Sequence, residues 1–277
     1  MKEIDVLKAN NFKFNKKFGQ NFIFDKNLLN SIVEQSKINS DDQVLEIGPG
    51  AGTLTRIIAS KAKNIVCYEI DKTLKPILEQ NLQEFSNVKI IFADALKTDL
   101  QEIEGNFENS YKIIANLPYY ITTPLIFKFI NSKKLKSMCI MVQKEVGQRL
   151  TATNKDSDYG AISVILDFYG DVKILKSVPR NMFVPAPNVD SCVVKIELKQ
   201  KYQTNAQLFE SIVKSAFANR RKTLANNFSV DFNISKNEVY AILQELSLPE
   251  QVRGDALSTL DFVQICQLFD KKGIKSR

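Results

Sequence analysis

Val44-Leu45-Glu46-Ile47-Gly48-Pro49-Gly50-Ala51-Gly52-Thr53-Leu54 decides how this 277-residue chain folds. A short apolar run enters a turn that holds three of the chain's ten glycines, and apolar residues then return at helical spacing as Leu54, Ile57 and Ile58. Glycine tolerates positive φ and lets a ligand approach the backbone at the carboxyl end of a strand. The stretch therefore predicts a strand, a ligand-binding turn at Gly48 and Gly50, and a helix. Two further apolar runs end in acids. Asn64-Ile-Val-Cys-Tyr-Glu69 places Glu69 21 residues after Gly48, the spacing of a carboxylate that accepts both hydroxyls of a ribose. Val88-Lys-Ile-Ile-Phe-Ala-Asp94 ends in an acid suited to an adenine amino group.

A nicotinamide dinucleotide and S-adenosylmethionine both fit a strand, turn and helix followed by a ribose acid. The dinucleotide fingerprint spaces its last glycine one residue further and sets a pyrophosphate on the helix N-terminus. S-adenosylmethionine has no phosphate, so the tighter Gly-x-Gly-x-Gly turn suits it. The chain contains no histidine, which removes the commonest general base, the usual partner of a serine or cysteine nucleophile, and most zinc sites. No metal is expected. Methyl transfer from a sulfonium tolerates that loss, because the leaving thioether is neutral and the methylated amine sheds its proton to water. The cysteines at 67, 139, 192 and 266 form no Cys-x-x-Cys pair and read as reduced core thiols of a cytoplasmic protein.

A fourth apolar run, Tyr111-Lys-Ile-Ile-Ala115, ends in Asn116-Leu117-Pro118-Tyr119-Tyr120. An adenine 6-amino group is a poor nucleophile because its lone pair is delocalised into the ring. Two acceptors that hold its two N–H bonds return the pair to nitrogen, and the Asn116 side-chain oxygen with the Leu117 carbonyl would supply them. Pro118 stiffens the turn and Tyr119 offers a face to the base.

Strands near 43–47, 64–69, 88–93, 111–115 and 137–142 alternate with helical stretches, which predicts a doubly wound, mainly parallel α/β sheet. Asp171 to Val178 and Ser191 to Leu198 would finish it as an antiparallel pair. Thr151 to Tyr159 is polar and reads as a mobile rim loop. Beyond Lys199 the pattern is helical, with Leu208, Phe209, Ile212, Val213, Ala216 and Phe217 on one face and Val239, Ile242, Leu243 and Leu246 on another. The expected division is a sheet domain over 1–199 and a small all-helical domain over 200–277. The net charge is +7. Lys8, Lys13, Lys16 and Lys17 are interleaved with Phe12, Phe14 and Phe18, a mixture suited to neutralising RNA phosphates while bases stack. There is no signal-peptide core and no run long enough to span a bilayer, so no membrane role is expected.

With these motifs quoted, the chain resembles the ribosomal RNA adenine dimethyltransferase family over nearly its whole length, on the branch acting on the small-subunit 16S RNA. The resemblance rests on Phe18-Gly-Gln-Asn-Phe22, Glu46 to Gly52, Glu69-Ile-Asp71, Asp94-Ala95, Asn116 to Tyr120, Phe183-Val-Pro-Ala-Pro187 and Asn219-Arg-Arg-Lys-Thr-Leu224. It implies a Rossmann-like methyltransferase sheet whose cofactor is S-adenosylmethionine. Gln20, Asn21 and Ile23 would frame the cofactor, Gly48 and Gly50 would lie under its amino-acid end, Glu69 and Ile70 at its ribose, and Asp94 and Ala95 at its adenine. Asn116 would serve both the cofactor's edge and the target amine, with Leu117, Pro118 and Tyr119 completing the catalytic turn. Phe183 would sandwich a flipped base against Tyr119. Lys13, Lys16, Lys17, Arg220, Arg221 and Lys222 would contact RNA. Two departures are visible: Ile23 replaces the usual Leu, which favours a backbone role there, and Tyr120 stands where many relatives carry Asn.

The implied partner is 16S ribosomal RNA within the immature small ribosomal subunit, with the protein acting as a monomer on two adjacent adenines of a hairpin near the RNA's 3′ end. Two rival readings are a large-subunit methyltransferase of the macrolide-resistance type and a subunit-assembly checkpoint with secondary catalysis. Leu117 and the Arg220 segment argue against the first.

Overall fold

The computed structural model describes residues 18–275 together with Asp5, Leu7, Asn10, Phe12 and Phe14. Lys8, Lys13, Lys16 and Lys17 lie outside the described residues. The chain divides into two compact units, one of residues up to Gly147 with Lys173–Leu198, the other of Gln148–Val172 with Lys199 onward. The boundary expected at 199/200 falls at 198/199, and residues 148–172, expected within the sheet domain, belong to the helical unit.

Along the chain the first unit runs β1 (Phe22–Ile23), α1 (Lys26–Ser36), β2 (Gln43–Ile47), α2 (Thr53–Ala59), β3 (Asn64–Tyr68), α3 (Lys75–Leu82) and β4 (Val88–Ile91). It continues with α4 (Leu100–Glu104), β5 (Tyr111–Asn116), α5 (Thr122–Ile130) and β6 (Leu135–Gln143). After α6 (Lys144–Thr151) and α7 (Ala161–Tyr169) come β7 (Gly170–Val178), β8 (Phe183–Val184) and β9 (Ser191–Leu198). Seven strands form one sheet in the order β4-β3-β2-β5-β6-β9-β7. Strands β2 to β6 are parallel and β9 is antiparallel to β6. This is the doubly wound class that the alternating pattern predicts.

Local sequence explains the helices that cover the sheet. Asp25 starts α1 by accepting the Leu28 N–H at 2.7 Å, and Lys37 in the left-handed conformation ends it. Between them Leu28, Leu29, Ile32 and Val33 form one buried face, clustered with Leu54 and Ile58 of α2 and with Val44, Ile114, Cys139 and Met141 of the strands. Truncating one of these Leu or Ile side chains to Ala would cost about 2–5 kcal/mol. Every residue of β2 is buried, as expected for a central parallel strand covered on both faces. That burial includes Glu46, whose carboxyl is pushed up to about 8 and accepts the Cys67 thiol at 3.7 Å.

Chain order reverses between β2 and β5: β3 and β4 add on one side of β2, β5 and β6 on the other. Ligands of doubly wound folds bind in the crevice beyond the strands' carboxyl ends at such a switch. Gly48, Glu69, Asp94 and Asn116 all lie at carboxyl ends of these adjacent parallel strands, so the topology alone brings them together.

Phe12 and Phe14, expected to stack on RNA, instead meet the Phe22 ring at centroid distances of 6.0 and 5.3 Å. They extend a cluster that contains Leu74, Ile77 and Leu78. Apolar area in that cluster gives these rings a partner without any nucleic acid.

In the second unit, α7 joins α8 (Ala206–Ala218), α9 (Leu224–Asp231), α10 (Lys236–Glu245) and α11 (Thr259–Lys271). The start of each helix from α8 onward is written in a capping residue: Asn205, Thr223, Ser235 with Glu238, and Ser258 with Asp261. Of the two faces the periodicity predicts, Leu208, Phe209, Ile212, Val213 and Ala216 of α8 and Val239, Ile242 and Leu243 of α10 are buried, Phe217 and Leu246 are half-buried, and Phe228, Phe232 and Phe269 meet edge to face in the core. The polar loop before α7 is tied down by Asn154, which donates to the Ala256 carbonyl at 3.2 Å, and by Tyr159, which donates to that of Leu257 at 2.8 Å. Among the described residues no helix is long and apolar enough to cross a membrane, and all four cysteines are free and buried.

Candidate active site

An open pocket with an empty volume of about 850 Å³, part of it open solvent, lies at the switch point of the sheet. Gly48, Gly50 and Gly52 have φ of 72°, 59° and 80°, values that residues with a Cβ rarely adopt. A Cβ on Gly50 would also lie 2.9 Å from the Phe22 ring, and one on Gly48 would stand in the pocket with Pro118 as its nearest neighbour at 3.9 Å. The turn is held by Asn81, which donates to the Ala51 carbonyl at 2.8 Å.

Glu69 follows β3 directly and is only 4 % exposed. One carboxylate oxygen accepts the Gly50 N–H at 3.2 Å and the other the Asp71 N–H at 2.9 Å. The Ile70 N–H also donates to this carboxylate, which leaves one of its four acceptor directions for a hydroxyl in the pocket. Burial outweighs these three bonds and raises the carboxyl to about 7. Asp94 is half-buried on the same wall and accepts the Leu96 N–H at 2.9 Å through Oδ1.

Asn116 is the last residue of β5. Its Nδ2 donates to the Asn21 carbonyl at 2.8 Å. A carbonyl accepts only from the amide nitrogen, so this bond fixes which way the side chain faces and leaves Oδ1 as the acceptor turned elsewhere. The Pro118 carbonyl is used within the turn by Ile121 N at 3.1 Å and Thr122 Oγ1 at 3.3 Å, whereas no described hydrogen bond uses the Leu117 carbonyl. The Tyr119 hydroxyl shares a 2.7 Å hydrogen bond with Ser191 Oγ, which pins the ring at the pocket wall.

Gln20, Asn21, Gly48, Gly50, Glu69, Ile70, Asp94, Ala95, Asn116, Leu117, Pro118 and Tyr119 all line this one pocket. Gln20 is held by Asp71, to which its side chain donates at 2.7 Å. Ile23 does not line it but borders a smaller cavity with Gly48, Gly50 and Asn116, and its side chain is buried in the apolar cluster against α1. Phe183 lies outside this pocket. Paired with Ile23 in the short antiparallel β1–β8 ladder, it is folded into the same cluster at 3 % exposure. Its proline-rich setting could not separate a core ring from a stacking platform.

Arg220, Arg221 and Lys222 are exposed on the turn between α8 and α9, not on a helix face, and Arg220 donates to the Tyr159 carbonyl at 3.1 Å. Sequence reasoning missed Phe18, Tyr68, Leu74 and Leu96 as pocket walls, and noted Tyr120 only as a departure. Tyr120 is 57 % exposed there. Apolar residues at such positions carry no signal that distinguishes wall from core.

The sequence profile described as Ribosomal RNA adenine dimethylase matches residues 11–271. A protein named Ribosomal RNA small subunit methyltransferase A from Clostridioides difficile (strain 630) is 39% identical over 274 residues, which cover 97% of this chain and 95% of that one. Its namesake from Lachnoclostridium phytofermentans is 41% identical over 278 residues, covering 97% and 96%. Among solved structures, a dimethyladenosine transferase from Plasmodium falciparum is similar at a TM-score of 0.80 and 29% identity, over 91% of this chain and 98% of that one. The 23S rRNA methyltransferase ErmE shares the fold at a TM-score of 0.71 and 22% identity, over 90% of this chain and 100% of that one.

Proposed function

Because this chain belongs to the ribosomal RNA adenine dimethylase family, we propose that it moves two methyl groups from S-adenosylmethionine onto the 6-amino group of each of two adjacent adenines. The target is a hairpin near the 3′ end of 16S ribosomal RNA in the immature small subunit, and the protein acts on it as a monomer in the cytoplasm. The observation that carries the reading is the Asn116 amide, whose nitrogen is committed to the Asn21 carbonyl so that its oxygen is the group left for an amine.

The pocket fits the cofactor. Glycines at positive φ leave room at the strand end, Glu69 keeps an acceptor direction for a ribose hydroxyl, and Asp94 keeps Oδ2 for an adenine amino group. Bound there, S-adenosylmethionine supplies a methyl on a positively charged sulfur that leaves as a neutral thioether. Asn116 Oδ1 and the Leu117 carbonyl accept the two N–H bonds of the target amine and draw its lone pair out of conjugation, a preorganised polar arrangement aimed at the charge that develops on nitrogen. Tyr119, anchored by Ser191, offers its face to the adenine ring. The methylated nitrogen releases one proton to water, so no side-chain base is required in a chain without histidine. A monomethylated amine still carries one N–H, and the same grip serves the second transfer. Arg221 and Lys222, exposed at their turn, neutralise RNA phosphates.

The test is to incubate the protein and methyl-labelled S-adenosylmethionine with small subunits from cells that lack this gene, then identify the labelled nucleosides by mass spectrometry. Dimethyladenosine from 16S RNA is the expected product. Label confined to another nucleoside, or to large-subunit RNA offered in parallel, would refute the proposal.

A further inference from the structure

Lys128 lies on α5, the helix that begins directly after the Asn116 turn, and it reaches back to the loop that follows β4. Its ammonium donates to the carbonyls of Ala95 at 2.8 Å, Leu96 at 3.0 Å and Thr98. An ammonium has three donors, so the whole inventory of this side chain goes to one loop. That loop already folds around Asp94, whose own carbonyl accepts Lys97 N at 3.0 Å and Thr98 N at 2.9 Å.

The Ala95 carbonyl and the Leu96 N–H belong to the same peptide unit. Lys128 holds the oxygen end of that unit, while Asp94 Oδ1 accepts its N–H end at 2.9 Å. A peptide unit is planar, so fixing one end fixes the direction of the other. A cation on the carbonyl also polarises the amide and strengthens the hydrogen bond that the N–H donates. We propose that Lys128 is a positioning residue for the cofactor's adenine: through the Ala95–Leu96 peptide it aims the Asp94 carboxylate, leaving Oδ2 directed at the adenine's exocyclic amino group. The same lysine ties this loop to the helix that carries the target-base turn, so the walls for the two adenines share one brace.

This inference rests on the reading of Asp94 as the adenine acceptor, and the experiment separates the two. Affinities of S-adenosylhomocysteine and of S-inosylhomocysteine, which has a carbonyl in place of the amino group, are measured by calorimetry for the wild type, Lys128→Met and Lys128→Gln. The wild type should prefer the adenosyl ligand. Lys128→Met should bind that ligand about tenfold more weakly, the scale of one charge-assisted hydrogen bond, with the inosyl ligand unaffected. Lys128→Gln retains two N–H donors and should fall between, which keeps the test readable if the methionine variant folds poorly. An equal loss for both ligands would mean that Lys128 merely supports the fold, and unchanged preference in both variants would overturn the proposal while leaving Asp94 in its role. A wild type that shows no preference would overturn the role of Asp94 and the proposal with it.

Discussion

On the cofactor side of the pocket Glu69 is clamped by the N–H groups of Gly50 and Asp71, and Asp94 by that of Leu96. On the target side Asn116 leans on a carbonyl 95 residues away and Tyr119 on a hydroxyl 72 residues away. Asp71 and Leu96 lie two residues from the acids they clamp, so much of this half of the site comes with the local fold, with Gly50 and the Lys128 brace added across the chain. The target half exists only once the segment at Asn21 and the strand at Ser191 have closed around the turn. Damage to the Tyr119–Ser191 pair should accordingly disturb base positioning while leaving cofactor binding intact, and damage to the acids, or to the Lys128 brace on the Asp94 loop, should do the reverse.

The largest effect expected on the cofactor side comes from Glu69→Ala. Loss of this buried acceptor should weaken S-adenosylmethionine by about 2–4 kcal/mol in calorimetric titration, with RNA affinity unchanged. Equal losses in both affinities would erase the distinction between the halves. Acid should reproduce part of this. The Glu69 carboxyl, raised to about 7 by burial, takes up a proton as pH falls through that value, and only the ionised form offers acceptors on both oxygens. Cofactor affinity should therefore be flat above pH 8 and fall about tenfold between pH 8 and pH 6, a dependence that Glu69→Gln abolishes.

On the target side, Ser191→Ala and Tyr119→Phe should each lower kcat/KM for RNA about fivefold, the scale of one neutral hydrogen bond. Cofactor affinity should hold, and the double variant should be no worse than either single one. Additive losses would show that the two hydroxyls act separately. The smallest effect is expected outside the pocket. Arg221→Gln with Lys222→Gln should flatten the dependence of log K on log salt for small-subunit binding by roughly 0.7 to 0.9 for each phosphate that is no longer neutralised. A wild-type slope would make this turn ordinary solvated surface. Arg220 is left in place because it already holds the Tyr159 carbonyl.

The same contrast explains what could be read in the sequence. Strands β2, β3 and β5 lie within a residue of the positions that their apolar runs mark, because a parallel central strand covered on both faces reads as a near-continuous apolar run. Glu69, Asp94 and Asn116 were legible for the same reason, since each ends such a run. Nothing local reports a pairing across the chain. The β1–β8 ladder that takes Phe183 into the core, the assignment of α7 to the helical unit and the reach of Lys128 to Ala95 are all set by tertiary closure. A phenylalanine between prolines has the same appearance in either setting, and periodicity shows that a helix is amphipathic without showing what it packs against.

The central claim is that the Asn116 amide oxygen, turned outward by the Asn21 carbonyl, activates the amine. Single-turnover methyl transfer on saturating small subunits tests it most directly in Asn116→Ala. The rate should fall about a hundredfold or more, as when one preorganised polar group is removed from beside a developing charge, while small-subunit affinity stays within about threefold. A single-turnover rate near that of the wild type would contradict the account and place activation of the amine elsewhere in the pocket.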